Sequence, residues 1–269
     1  MENIKKSYPN IIQSIGISGI MILASIVFSP LILLSNYIGK DAATFIFYVL
    51  AIGITFGIAY IIRRKVTGQR TFNLSIPNKR TLPFIIAGTI ALAFGIASPI
   101  VELIPMPEFI KKALMDNFGG TGIFAFLLMV VAAPVFEELI FRGIILDGLL
   151  KQYSPMKSIL LSALLFGIIH LNPWQFVTAV IIGVFAGWIY YKTRSLTLSV
   201  IIHATTNFGG FLSNFFTDES AMDQSSIEFY GGVTNFILAT LAAIFMVCFC
   251  IFFLRKEFRK SNPTNFGNF

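Results

Sequence analysis

Long apolar runs broken by short polar connections set the rhythm of this 269-residue chain. Eight runs approach the ~20 residues that a helix needs to cross a bilayer: 11–38, 43–62, 83–101, 121–146, 158–171, 175–191, 195–213 and 232–254. The pattern predicts an all-α fold, a polytopic transmembrane helix bundle of about eight spans. It forms a single transmembrane domain over 1–269, with no repeat, linker or second domain. Pro30 is expected to kink the first span or end it early. The fifth run is short, so it is expected either to be extended by neighbouring backbone or to be re-entrant. The first run is too long for a signal h-region and lacks a small-residue cleavage site, so it is expected to be retained.

Composition agrees with this reading. The chain is 56% hydrophobic and 12% charged, about half the roughly 25% charged residues of a soluble domain, and its mean hydropathy is +0.80. The net charge of +7 does not point to nucleic acid, because the basic residues are sorted by loop. Lys5 and Lys6, the run from Arg63 to Arg80, Lys151 and Lys157, Lys192 and Arg194, and the run from Arg255 to Lys260 all fall on one side. The other side holds only Lys40, Lys111 and Lys112. Cytoplasmic loops carry the Lys/Arg excess, so both termini are expected in the cytoplasm. Residues 102–120 read equally well as a short amphipathic outer helix or as a plain loop. Asp218, Glu219, Asp223 and Glu228 read as a solvated outer loop rather than a cation site. Cys248 and Cys250 lie in the last apolar run and read as packing residues, not a disulfide framework.

The chemistry lies in the polar residues at membrane depth. Ionisable groups there cost at least ~2.5–3.5 kcal/mol each on insertion scales, and they face a bundle interior or a wet cavity. They cluster here. The fourth run carries Glu137, Glu138 and Arg142 in EELIFR, the fifth ends on His170 in FGIIH, and the seventh carries His203 and Asn207 in HATTN. The two histidines are the only ones in the chain. At about 100° per residue, Arg142 falls on the Glu138 face and can pair with it, while Glu137 points elsewhere. His203 and Asn207 share a face, as do Phe166 and His170. A carboxylate without its own counter-ion near an imidazole can serve as a general base on water. An imidazole and a carboxamide on one face can donate to a developing oxyanion. A lone histidine here reads first as helix–helix glue and the Glu138–Arg142 pair as structural; the cluster as a whole reads as a hydrolytic site.

The three stretches resemble the EExxxR, FxxxH and HxxxN motifs of the CAAX-protease and bacteriocin-processing (CPBP, or Abi) family of intramembrane endopeptidases, in family order over about 121–213. The resemblance implies Glu137 as catalytic base, His170 holding the attacking water with it, and His203 and Asn207 as the oxyanion site. Glu138 and Arg142 are implied as supporting residues. The family is commonly named as metalloproteases, and Glu137, His170 and His203 would be the ligands of a zinc ion (Zn2+). The H-E-x-x-H arrangement is absent, and the favoured expectation is a glutamate-dependent enzyme requiring no cofactor.

The expected function is therefore an intramembrane endopeptidase cutting near a membrane-embedded or lipid-anchored substrate end. The expected partners are membrane lipid and a peptide or membrane-protein substrate, such as a bacteriocin-type or lipidated peptide, with no nucleic acid. Short loops and compact size suggest a bacterial plasma membrane. Two alternatives stay open: a non-catalytic immunity protein that binds a peptide, and a small proton-coupled transporter, which inverted repeats would favour.

Overall fold

The computed structural model describes residues 7–216 and 225–261. Lys5, Lys6, Asp218, Glu219, Asp223 and the stretch 262–269 lie outside the described residues. Every regular element among those described is helical, and a helix covers most of each of the eight apolar runs. They are α1 (Ile11–Ile38), α2 (Lys40–Thr67), α3 (Lys79–Glu102), α4 (Glu108–Phe118) and α5 (Ile123–Leu149). There follow α6 (Pro155–Ile168), α7 (Pro173–Thr193), α8 (Leu196–Ser213), α9 (Ser226–Phe229) and α10 (Val233–Ser261). Six of them, α1, α2, α3, α5, α7 and α10, are long and apolar enough to cross a bilayer. Of the other two apolar runs, α6 has only 14 residues, and α8 dilutes its hydropathy with His203, Thr205, Thr206 and Asn207. The chain is a multi-pass membrane protein.

Local chemistry explains where these helices begin, bend and stop. Asn10 and Gln13 form a capping box at the start of α1, satisfying two otherwise unpaired N–H groups. At Ser29–Leu34 the helix tightens into a 3-10 segment with Pro30 in its first turn, because proline cannot donate the α-helical bond. The second helix outruns its apolar stretch. Arg64 and Lys65 in its last turn favour the negative end of the helix dipole, and Gly68 closes it at φ 72°, a conformation glycine adopts without cost. Arg63 thus lies inside α2 rather than in a loop. It is buried, donating to the Thr71 carbonyl at 3.3 Å and stacking over Phe72. The segment left open between helix and loop is a helix, α4.

The centre of the bundle is α5. Ile140, Phe141, Ile144, Ile145, Leu146 and Leu149 are all fully buried. In lipid there is no hydrophobic drive between helices, so close approach depends on small residues. The α6–α7 pair meets through Ala163 and Gly183, where an added Cβ would sit 3.1 Å from the alanine's own. Gly88 brings α3 against Cys250 of α10 in the same way. Two π-helical stretches, Leu127–Ala132 and Leu139–Leu146, interrupt α5 on either side of Ala133–Glu138. Such wide turns recur at functional sites, and here they flank both glutamates.

Candidate active site

The glutamates stand on the short α-helical piece between the two π stretches, both buried. Glu138 is completely enclosed, and its Oε1 accepts from Arg142 Nη1 at 2.7 Å and from His203 Nδ1 at 3.1 Å. The expected i,i+4 pair therefore forms, but Glu138 does more than neutralise the arginine: it also orients His203 from behind. Arg142 sends Nη2 to the Gly183 carbonyl at 3.2 Å, in the space that the missing Cβ leaves open. Its guanidinium lies 4.7 Å above the Phe166 ring. Phe166 in turn meets His170 and His203 edge-on, at 5.3 and 5.4 Å between centroids. One aromatic ring thus packs against the arginine and both histidines.

Glu137 points away from the arginine, as the helix geometry predicts. Its Oε1 accepts from the Tyr48 hydroxyl of α2. Its Oε2 is buried without a hydrogen-bond partner and faces His203 Nε2 at 3.8 Å. That separation exceeds a hydrogen bond, so the oxygen and the imidazole face each other across a gap. A buried carboxylate oxygen left unpaired is rare enough in native structures to call for a reason.

His170 is placed differently from the expected span. The sixth helix ends at Ile168 and His170 sits in the turn beyond it, because Leu171 enters the left-handed region at φ 56°, which no helix continues through. Its Nδ1 lies 2.9 Å from the Phe166 carbonyl. A carbonyl only accepts, so Nδ1 carries the proton, and Nε2 of the neutral ring is an acceptor. Asn172 holds the turn, donating to the His170 carbonyl at 2.9 Å while capping α7 through Gln175 N at 2.8 Å.

Asn207 donates from Nδ2 to the Met129 carbonyl at 2.8 Å. The reason lies in the first π stretch of α5. Ala133 N–H bonds Leu128 O rather than Met129 O, and Pro134, next in register, has no N–H to give. The Met129 carbonyl is orphaned, and Asn207 supplies the missing donor. The second Nδ2 hydrogen stays available to a ligand.

Glu137, His170, His203 and Asn207 line one cavity of about 310 Å³, together with Tyr48, Met129 and Gln175. A second cavity of about 300 Å³, reaching Trp174 and Thr178, shares His170, Gln175, His203 and Asn207 with the first. The four shared side chains stand where the two chambers meet. Tyr48 and Gln175 do not belong to any of the three motifs. Their only signal in the sequence is a polar group within an apolar run. Among the described residues no three His, Cys, Asp or Glu side chains are grouped to hold a metal ion. Glu137, His170 and His203, the set a zinc ion would need, therefore do not fit one as they stand, and no step below runs through a metal.

The multi-pass helical bundle thus encloses carboxylate, imidazole and carboxamide groups beside one cavity. Residues 119–209, the segment that carries all three motifs, match the family model described as type II CAAX prenyl endopeptidase Rce1-like. The UPF0177 protein YxdF of Lactococcus lactis subsp. lactis is 29% identical over 82 residues, covering 30% of this chain. The aligned stretch spans 45% of that protein's own length. No solved structure matches the chain.

Proposed function

We propose that the protein is an intramembrane endopeptidase that hydrolyses a peptide bond near a membrane-embedded or lipid-anchored end of its substrate. The observation that carries this is the unpaired Glu137 Oε2, which lines one cavity and faces His203, a residue that the second cavity shares. A water held between Glu137 and His170 Nε2 gives its proton to Glu137 as its oxygen attacks the scissile carbonyl. The oxyanion is met by the free N–H of Asn207 and by His203. In its doubly protonated form His203 keeps Nδ1–H on Glu138 and turns Nε2–H to the oxyanion. Collapse breaks the C–N bond, and Glu137 returns its proton to the leaving amine. The chambers on either side would take the two flanks of the substrate. We place the enzyme in a bacterial plasma membrane with both termini cytoplasmic, acting on a bacteriocin-type or lipidated peptide without a metal.

The reading is tested by comparing membrane proteomes with and without the active protein for a new N-terminus next to an apolar segment. Cleavage of the identified substrate is expected to persist in the presence of chelators; inhibition reversed by added zinc would refute the metal-free mechanism. Tyr48 acts as a positioning residue in this scheme. A hydrogen bond to a charged group contributes ~1.5–3 kcal/mol, so Tyr48→Phe is expected to lower kcat roughly 10- to 100-fold. KM should stay unchanged, because the phenol holds the base and not the substrate.

A further inference from the structure

The start of α7 presents a hydrogen-bond donor that the proposed chemistry does not use. Asn172 is the N-cap of this helix and Gln175 follows three residues later, the two positions of a capping pair that satisfies the first N–H groups of a helix. Their partners fix the orientation of both amides. Asn172 Oδ1 accepts from Gln175 N at 2.8 Å, and Asn172 Nδ2 donates to the His170 carbonyl at 2.9 Å. A backbone N–H only donates and a carbonyl only accepts, so the Asn172 amide cannot be turned over. The Gln175 atom that lies 2.6 Å from Asn172 Nδ2 is therefore the acceptor, Oε1. The Gln175 nitrogen, Nε2, keeps both of its hydrogens.

Capping calls only for the oxygen, which a glutamate would supply as well, so the nitrogen is surplus to the helix. Among the described residues Nε2 has no hydrogen-bond partner. Gln175 is half-buried and lines both chambers, a position it shares with His170, His203 and Asn207. Those three have other work. Nδ1 of His170 is held by the Phe166 carbonyl, Nδ1 of His203 by Glu138, and half of the Asn207 amide by Met129. Of the cavity wall beyond, Trp174 gives its N–H to the Ile104 carbonyl and Thr206 its hydroxyl to that of Ile202. A peptide carbonyl buried beside such a wall without a donor is costly, and Gln175 has a whole amide group with which to meet one. Resting on the proteolytic reading, we infer that Gln175 is a substrate-binding residue, its Nε2 donating to the main-chain carbonyl next to the scissile bond of a peptide that runs from one chamber into the other.

The probe is dansyl-tetraleucine amide, whose side chains suit the apolar wall of Phe166, Trp174 and Ile182 and whose main chain supplies the carbonyls. The chain has two tryptophans, so Trp188→Phe in the full-length protein leaves Trp174 of the cavity wall as the sole emitter. Glu137→Gln in the same chain keeps the peptide from being consumed. Energy transfer from Trp174 to the dansyl group, in the part displaced by unlabelled peptide, gives Kd in detergent micelles. Gln175→Met is expected to raise Kd roughly 2- to 10-fold, the worth of one hydrogen bond between neutral groups. Gln175→Glu keeps the oxygen that Asn172 needs and loses the donor, so it should weaken binding at least as much. A loss confined to the methionine variant would assign Gln175 to the turn alone and overturn the inference. An unchanged Kd in both variants, or no displaceable transfer in the parent protein, would do the same. The two readings fail separately. With Glu137 restored, cleavage at an unchanged KM in Gln175→Glu would remove the donor and leave the protease standing. Binding that depends on Gln175, in a protein that yields no new N-terminus, would remove the protease and leave the donor.

Discussion

Replacing Glu137 by Gln is expected to abolish cleavage, a loss of roughly 10²- to 10⁴-fold for removal of a general base, while the protein accumulates in the membrane at its usual level. The change keeps the side chain's shape, and the amide oxygen still accepts from Tyr48. The amide has no lone pair with which to take a proton from water. Oε2 has no hydrogen-bond partner in the resting protein, so the bundle loses nothing structural at that atom. Stability and activity should therefore separate cleanly. A Glu137→Gln protein that keeps its full biological effect would point to the other class raised by the sequence, a protein that binds a peptide toxin without cutting it.

The pair beside it should behave in the opposite way. Arg142→Met is expected to destabilise the protein by ~3–5 kcal/mol, the cost of breaking a buried ion pair and leaving one charge uncompensated. Glu138 is fully enclosed and Arg142 only 1% exposed, so no solvent is at hand to replace the guanidinium, and His203 would be the only group left on the carboxylate. Removing both charges together, as Glu138→Gln with Arg142→Met, is expected to recover much of the stability, since neither charge then needs compensation. Activity should stay low in the double variant, because His203 has lost the carboxylate that orients Nδ1. Thermal unfolding in detergent of both single variants and the double gives the coupling. Destabilisations that simply add would show that the pair is not the unit described here.

Much of this was legible in the order of residues. Hydropathy located the eight helical segments because the bilayer imposes a length on apolar runs. Glu138 and Arg142 were assigned to each other from a spacing of four, and the assignment holds because both lie on one helix. Contacts between helices were less accessible. Tyr48 lies 89 residues before Glu137, and no local pattern ties a tyrosine in α2 to a glutamate in α5. Hydropathy counts side chains and is blind to backbone conformation, so the run through His170 looked continuous although the helix stops at Ile168. Asn207 was expected to aim its amide at substrate, whereas half of that amide is spent on Met129. That debt is created by Pro134 and a π register, which an angle of 100° per residue does not represent.

The π stretch at Leu127–Ala132 also bears on how such a chain tolerates insertion and deletion. A wide turn holds one residue more than the α-helix around it, so it behaves as an insertion absorbed without a loop. Deleting one residue there would close the wide turn into ordinary α-helix and leave the segments on either side close to their present relative orientation, with Glu137 still in place. Deleting one residue from the α-helical piece before Glu137, where nothing absorbs the change, would rotate Glu137 by about 100° relative to Met129 and out of register with Asn207. The wide turn thus marks where this helix can lose a residue and keep its site, and relatives that lack the extra residue need no compensating shift elsewhere.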